Sequence, residues 1–200
     1  MQGLRVVLIA VWAALAVGQG VRHWAQTEKE TIWRGRYKNC DYGYTVILPE
    51  GVVAHNGLPP SPNHGFLVSA RDPGTTAQVT WAEPRLISVY NSYDAAEAGS
   101  ARAYLNQSRD KNEEVVETKD LTFKGLPAAY GHYRVKQGTG QVEKVKLVLY
   151  RKGARELSNI LYEVSLATSA EYYSQDSVLY EKIRNGFKVL PPPKGECSND

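Results

Sequence analysis

Three alternating stretches near the C-terminus constrain the fold more than any other feature of this 200-residue chain. In residues 128–136, Ala129, Gly131, Tyr133 and Val135 fall on one face, and Tyr130, His132, Arg134 and Lys136 on the other. In residues 141–151, Val145, Leu147 and Leu149 alternate with Lys144, Lys146 and Val148. In residues 156–167, Ile160, Tyr162, Val164 and Leu166 share a face. A period of two marks a strand, because successive side chains leave opposite sides of the backbone. The run Gln137-Gly138-Thr139-Gly140 is a tight hairpin signal, and Lys152-Gly153-Ala154 turns the chain again. The pattern predicts an antiparallel meander of three long strands with one buried face.

The remaining elements are placed around that meander. Residues 41–48 read as a strand stopped by the turn Pro49-Glu50-Gly51. Residues 65–70 are a second candidate strand; residues 78–81 and 85–90 are further short ones, interrupted by Pro84. Residues 93–107 read as a helix with Asp94 as N-cap and Glu97 at capping-box spacing. Residues 114–118 read as a returning strand, and Leu126-Pro127 as a turn. Thr168 and Glu171 have capping-box spacing before a second helix carrying Tyr172, Val178, Leu179, Ile183 and Phe187, ended at Asn185-Gly186. Residues 187–190 read as a short final extended piece. The expected class is therefore α/β in the α+β sense: an antiparallel sheet with helices packed on its faces.

The N-terminus sets the compartment. One basic residue, Arg5, precedes twelve unbroken apolar residues, 6–17, followed by Gly18 and Gly20. This is the layout of a secretory signal peptide. A helix of twelve residues spans roughly 18 Å, against roughly 30 Å of bilayer hydrocarbon. The length favours a cleaved signal over a stable span; an uncleaved N-terminal anchor is the alternative. The expected layout is a signal peptide over 1–20, a linker over 21–40, one domain over 41–190 and a proline-rich tail over 191–200. In an oxidising compartment Cys40 and Cys197 are most simply a disulfide, tying the start of the domain to its tail. Two free thiols are the alternative. With 24 Lys and Arg against 21 Asp and Glu, the charge is nearly balanced. That argues against a nucleic-acid partner, which calls for a larger, clustered excess.

Three local motifs resemble the Mog1/PsbP-like superfamily. Tyr42-Gly43-Tyr44 through Pro49-Glu50-Gly51 is similar to its opening hairpin. Leu121-Thr122-Phe123-Lys124-Gly125-Leu126-Pro127-Ala128 is similar to its step into the meander. Leu161-Tyr162-Glu163-Val164, with the 168–187 helix, is similar to its strand–helix closure. The resemblance covers residues 41–190 and implies an antiparallel sheet with helices on its faces. It implies an exported, non-catalytic binding or assembly protein. It carries over no functional residue, because the matched positions are turns and core.

Candidate chemistry is sparse. His64 follows the stiff run Pro59-Pro60-Ser61-Pro62-Asn63, and stiff loops position functional groups well. His55 lies nine residues earlier; two histidines without a third ligand do not make a zinc site. Trp81, Tyr90 and Tyr93 cluster in sequence and either fill core or, exposed, stack on a sugar or grip a partner. His132 reads as structural. No GxSxG, HExxH or phosphate loop occurs, and no cofactor is implied. Two functions follow. The first is an exported, non-catalytic binding or assembly module using the His55, His64, Trp81, Tyr90 and Tyr93 surface toward a protein or cell-envelope partner. The second is a secreted or periplasmic hydrolase using His55 or His64 as base. That chemistry requires a carboxylate or hydroxyl within hydrogen-bond reach of the histidine.

Overall fold

Tight turns between alternating strands produce the meander, and the rest of the molecule is laid against it. A computed structural model describes residues 32–56, 64–93, 97–153 and 159–190. The chain divides into Met1–Glu30 and Thr31–Asp200, and every described residue belongs to the second unit. The expected signal peptide, the 58–62 proline run, Asp94 and Cys197 therefore lie outside the described residues. The elements are β1 (Ile32–Arg34), β2 (Arg36–Asn39), β3 (Tyr44–Ile47), β4 (Val53–Asn56), β5 (Gly65–Ser69), β6 (Leu86–Ser92), α1 (Ala101–Gln107), β7 (Glu113–Phe123), β8 (Leu126–Gln137), β9 (Gly140–Arg151), β10 (Ile160–Ser169), α2 (Tyr173–Gly186) and β11 (Phe187–Val189). No helix among the described residues is long and apolar enough to cross a membrane.

The strands form two antiparallel sheets. The larger has the order β1-β4-β5-β6-β10-β9-β8-β7; the smaller is β11-β3-β2. The meander is β8, β9 and β10, with its hairpin closing at the pair Gln137 and Gly140. The turn before it falls at Lys124-Gly125, both with positive φ, rather than at Leu126-Pro127, which belong to β8. The expected single buried face is corrected to two. On one face Val145, Leu147, Leu149, Tyr162, Val164 and Leu166 join Tyr37, Tyr44 and Val46 of the small sheet, with Tyr180, Ile183 and Phe187. On the other, Ala101 and Leu105 of α1 pack on Ala129, Tyr133, Val148 and Leu161.

Other expectations are corrected too. Residues 32–39 of the expected linker form β1 and β2, the edge strand of the large sheet and one strand of the small one. Residues 78–81 form no strand. The first helix is α1 alone: Gly99 has φ +77, which breaks a right-handed helix, and Ser100 Oγ then accepts from Ala103 N at 3.0 Å as the N-cap. At α2 the expected capping box is absent, since Thr168 is a β10 residue and the N-cap position, Tyr172, makes no side-chain cap. Thr168 Oγ1 instead donates to Asp176 Oδ2 at 2.6 Å in the first turn of α2. Arg85 Nε donates to the same oxygen at 2.9 Å, and its guanidinium lies 4.0 Å over the Tyr172 ring.

Candidate functional site

The functional candidates meet at the end of β6. Tyr90 belongs to β6, and Tyr93 follows its last residue. His64 immediately precedes β5, whose Gly65 lies opposite Tyr90 in the ladder. Tyr42 sits in the turn between β2 and β3, its backbone N–H donating to Asn39 Oδ1 at 3.0 Å. Together they form a ladder of four rings. Tyr93 stacks on Tyr42 at 4.7 Å, Tyr42 tilts against His64 at 5.6 Å, and His64 stacks on Tyr90 at 5.9 Å. Those spacings lie within the range in which offset and tilted ring pairs attract.

Hydrogen bonds hold the ladder to both sheets. Tyr93 Oη donates to Asp41 O at 2.9 Å, and Tyr162 Oη to Tyr42 O at 2.6 Å. Tyr44 Oη donates to Asn91 Oδ1 at 2.6 Å. His64 Nδ1 lies 3.0 Å from Asn91 O; a carbonyl only accepts, so Nδ1 is the donor. Burial pushes the Tyr44 phenol well above its ordinary pKa and also raises Tyr162, so both remain donors across the physiological range. Tyr42 is buried, whereas Tyr93 is 40% exposed and forms the outer end.

The structure thus brings together His64, Tyr90 and Tyr93, and adds Tyr42. It places the other two candidates elsewhere. His55 is fully buried in β4, with Nε2 3.0 Å from Thr75 O, where it fixes the 70–85 loop. Trp81 is exposed on that loop, which enters the start of β6, whereas the ladder lies at its end. Tyr42 was missed as a site residue because it read as turn and strand. Its place in the ladder follows from β3 packing across the large sheet, a contact that local sequence does not carry.

A second polar cluster was also missed. His132 Nε2 lies 2.6 Å from Glu143 Oε2, Arg134 Nε donates to Glu143 Oε1 at 3.0 Å, and Tyr173 of α2 stacks on the imidazole at 5.0 Å. The hairpin register, with Arg134 opposite Glu143, carried the signal for the ion pair. Both His132 and Glu143 are buried beneath α2, so the cluster seats the helix. A separate open groove of about 370 Å³ runs between the Pro49 and Pro73 turns and α2, where Val178, Leu179 and Lys182 line it. No group of three His, Cys, Asp or Glu side chains suited to a metal ion occurs among the described residues.

No protein-family model and no curated protein matches the chain. Among solved structures it is similar to cyanobacterial PsbP from Synechocystis sp. PCC 6803. The TM-score is 0.49 and the identity 15%, over 80% of this chain and 93% of that one. It is also similar to LpqN, described as involved in cell envelope biogenesis of Mycobacterium tuberculosis. There the TM-score is 0.47 and the identity 11%, over 84% of this chain and 88% of that one.

Proposed function

We propose that this chain is an exported, non-catalytic binding or assembly module that grips a protein or cell-envelope partner at the ladder of Tyr93, Tyr42, His64 and Tyr90. The observation that carries the reading is the ladder's geometry: four rings held in series by both sheets, with an exposed tyrosine at the outer end. Pre-organised aromatic rings give large contact area at small entropic cost on binding. The hydrolase reading asked for a carboxylate or hydroxyl on a loop histidine. Of the ring nitrogens, His64 Nδ1 faces the main-chain carbonyl of Asn91 and His55 Nε2 that of Thr75.

A Tyr93→Ala chain expressed in its host is expected to lose a partner that the wild-type chain captures, while its unfolding midpoint moves little. Exposed side chains outside the core shift stability by about 0.5 kcal/mol or less, with one hydrogen bond of about 1 kcal/mol added here. Capture of the same partner at undiminished yield by Tyr93→Ala would remove the ladder from the function.

Export and a Cys40–Cys197 disulfide belong to the same proposal. Leu190 N donates to Gly43 O at 2.8 Å, which brings the chain's descent toward the tail within three residues of Cys40. Cys197 lies seven residues beyond Leu190, a span that extends up to about 23 Å, ample for the second cysteine to return. Mass spectrometry of the exported protein, alkylated without reduction, is expected to show a chain beginning near residue 21 with neither cysteine modified. Recovery of a Met1-retaining chain alkylated at both cysteines would overturn export and pairing together.

A further inference from the structure

Four acidic side chains are buried among the described residues: Glu113, Glu143, Glu163 and Asp176. Three have a cation. Lys144 Nζ is 2.8 Å from Glu113, Arg134 Nε is 3.0 Å from Glu143, and Arg85 is paired with Asp176. Glu163, only 9% exposed, takes part in no ion pair among the described residues. Burying a carboxylate without a counter-charge is costly, and such groups are ordinarily paired. The basic residue nearest in the ladder is Lys146, which lies opposite Ser165, two positions along β10 on the same face as Glu163. Its ammonium is committed elsewhere, to Ser108 O at 3.4 Å and Ser108 Oγ at 3.3 Å.

Tyrosines surround this carboxylate. Glu163 lies directly opposite Tyr90 across the β10–β6 ladder, so their side chains share a face about 5 Å apart at Cβ. Tyr104 of α1 packs against the cluster on the same face that contains Val148 and Leu161; burial and then the nearby Glu163 carboxylate push its phenol above the ordinary range. Next along the same face, Ser88 Oγ and Ser165 Oγ form a hydroxyl pair at 2.6 Å. Tyr90, Tyr104 and Ser165 are each half-buried.

We propose that Glu163, Tyr90 and Tyr104 form a binding site for a small organic ammonium ion, a primary or quaternary amine. The ammonium supplies the counter-charge that the carboxylate lacks, two phenol rings offer faces to a desolvated cation, and the serine pair offers acceptors at the margin. A neutral sugar would satisfy the hydroxyls and leave the buried charge uncompensated. The site meets the partner-binding ladder only at Tyr90, so it extends that reading without depending on the outer rings.

The test is an NMR titration of the exported, full mature protein with tetramethylammonium, butylammonium and the neutral isostere neopentyl alcohol. Saturable shifts of the Tyr90 and Tyr104 ring resonances with either amine, and none with the alcohol, are expected. Glu163→Gln preserves size while removing the charge and is expected to weaken amine binding at least tenfold. Tyr104→Phe is expected to weaken it a few-fold. Absence of saturable shifts with both amines, equal response to the neutral isostere, or unchanged affinity in Glu163→Gln each overturns the site. The amine and isostere comparison needs no variant, so it stands even where a substitution unfolds the chain. Tyr93→Ala separates the two readings: it abolishes partner capture if the ladder is the partner surface, and leaves amine binding intact.

Discussion

Asp176→Ala is expected to destabilise the protein by roughly 3–5 kcal/mol, because it strands a guanidinium whose side chain is only 12% exposed. Asp176 is 1% exposed and accepts from Arg85 through both carboxylate oxygens, and from Thr168 Oγ1 at 2.6 Å. The three residues come from the approach to β6, from β10 and from the first turn of α2, so one carboxylate ties the helix to the middle of the large sheet. Its charge also lies at the positive end of the helix dipole. The strongest cause acting on Arg85, its hydrogen bond to Asp176, raises the guanidinium further above its ordinary pKa, so the arginine stays charged at every accessible pH. Alanine removes the acceptor while leaving that charge, now under the Tyr172 ring. Chemical denaturation measures the loss directly, and a domain of this size is expected to melt on the order of 10 °C lower. The double replacement Arg85→Met with Asp176→Leu is expected to recover much of the loss, since a packed apolar pair avoids the desolvation of both charges. A single-variant loss below about 1 kcal/mol would show that the pair is solvated rather than buried.

What the sequence disclosed was whatever repeats within a few residues. The meander could be read because alternation and a two-residue turn fix both face and register. Tyr130 and His132 fall on the α2 side and Ala129 and Tyr133 on the α1 side, following the alternation. The small sheet could not be read. Its strands are three or four residues long, and β11 pairs with β3 across a stretch of sequence that holds most of the large sheet. In β2, Tyr37 and Asn39 are buried while Arg36 is exposed, an alternation with one apolar member and no contrast to detect.

Glycines and histidines show the same limit. Gly186 reads as a left-handed helix stop, yet its φ is not in that region. It is required because a Cβ there would sit 2.2 Å from Ile47 O, where α2 ends against β3. His55 and His64 look alike in sequence, nine residues apart on one loop. The start of β5 separates their roles: Leu67 pairs opposite His55, deep in the sheet, while His64 stands just ahead of β5 among the rings. The buried acids were visible only as residues, and the cations that pair with three of them lie from nine to 91 positions away.

Gly65→Ala is the substitution expected to damage stability and site together. Gly65 has φ +120, a backbone conformation that side-chain-bearing residues seldom adopt, and a Cβ added there would lie 1.9 Å from Val89 O and 2.8 Å from Val89 C. The obstructing atoms are backbone of the next strand, so rotamer adjustment cannot relieve the clash. The strained dihedral costs about 1–3 kcal/mol and the steric intrusion about as much again. A total loss of roughly 2–6 kcal/mol is therefore expected in denaturant unfolding. The displacement falls between β5 and β6 at the rung where Gly65 opposes Tyr90, one residue from His64. Parting that rung moves His64 from Tyr90 and loosens its Nδ1 from Asn91 O, so the inner half of the ring ladder comes apart. In folded Gly65→Ala protein, partner capture through the ladder is expected to fall as in Tyr93→Ala. The amine response at Glu163 is expected to weaken as well, because Tyr90 serves both. A variant as stable as the wild type would mean that β5 does not pass this close to β6. The ring ladder would then lose the strand contact that positions His64.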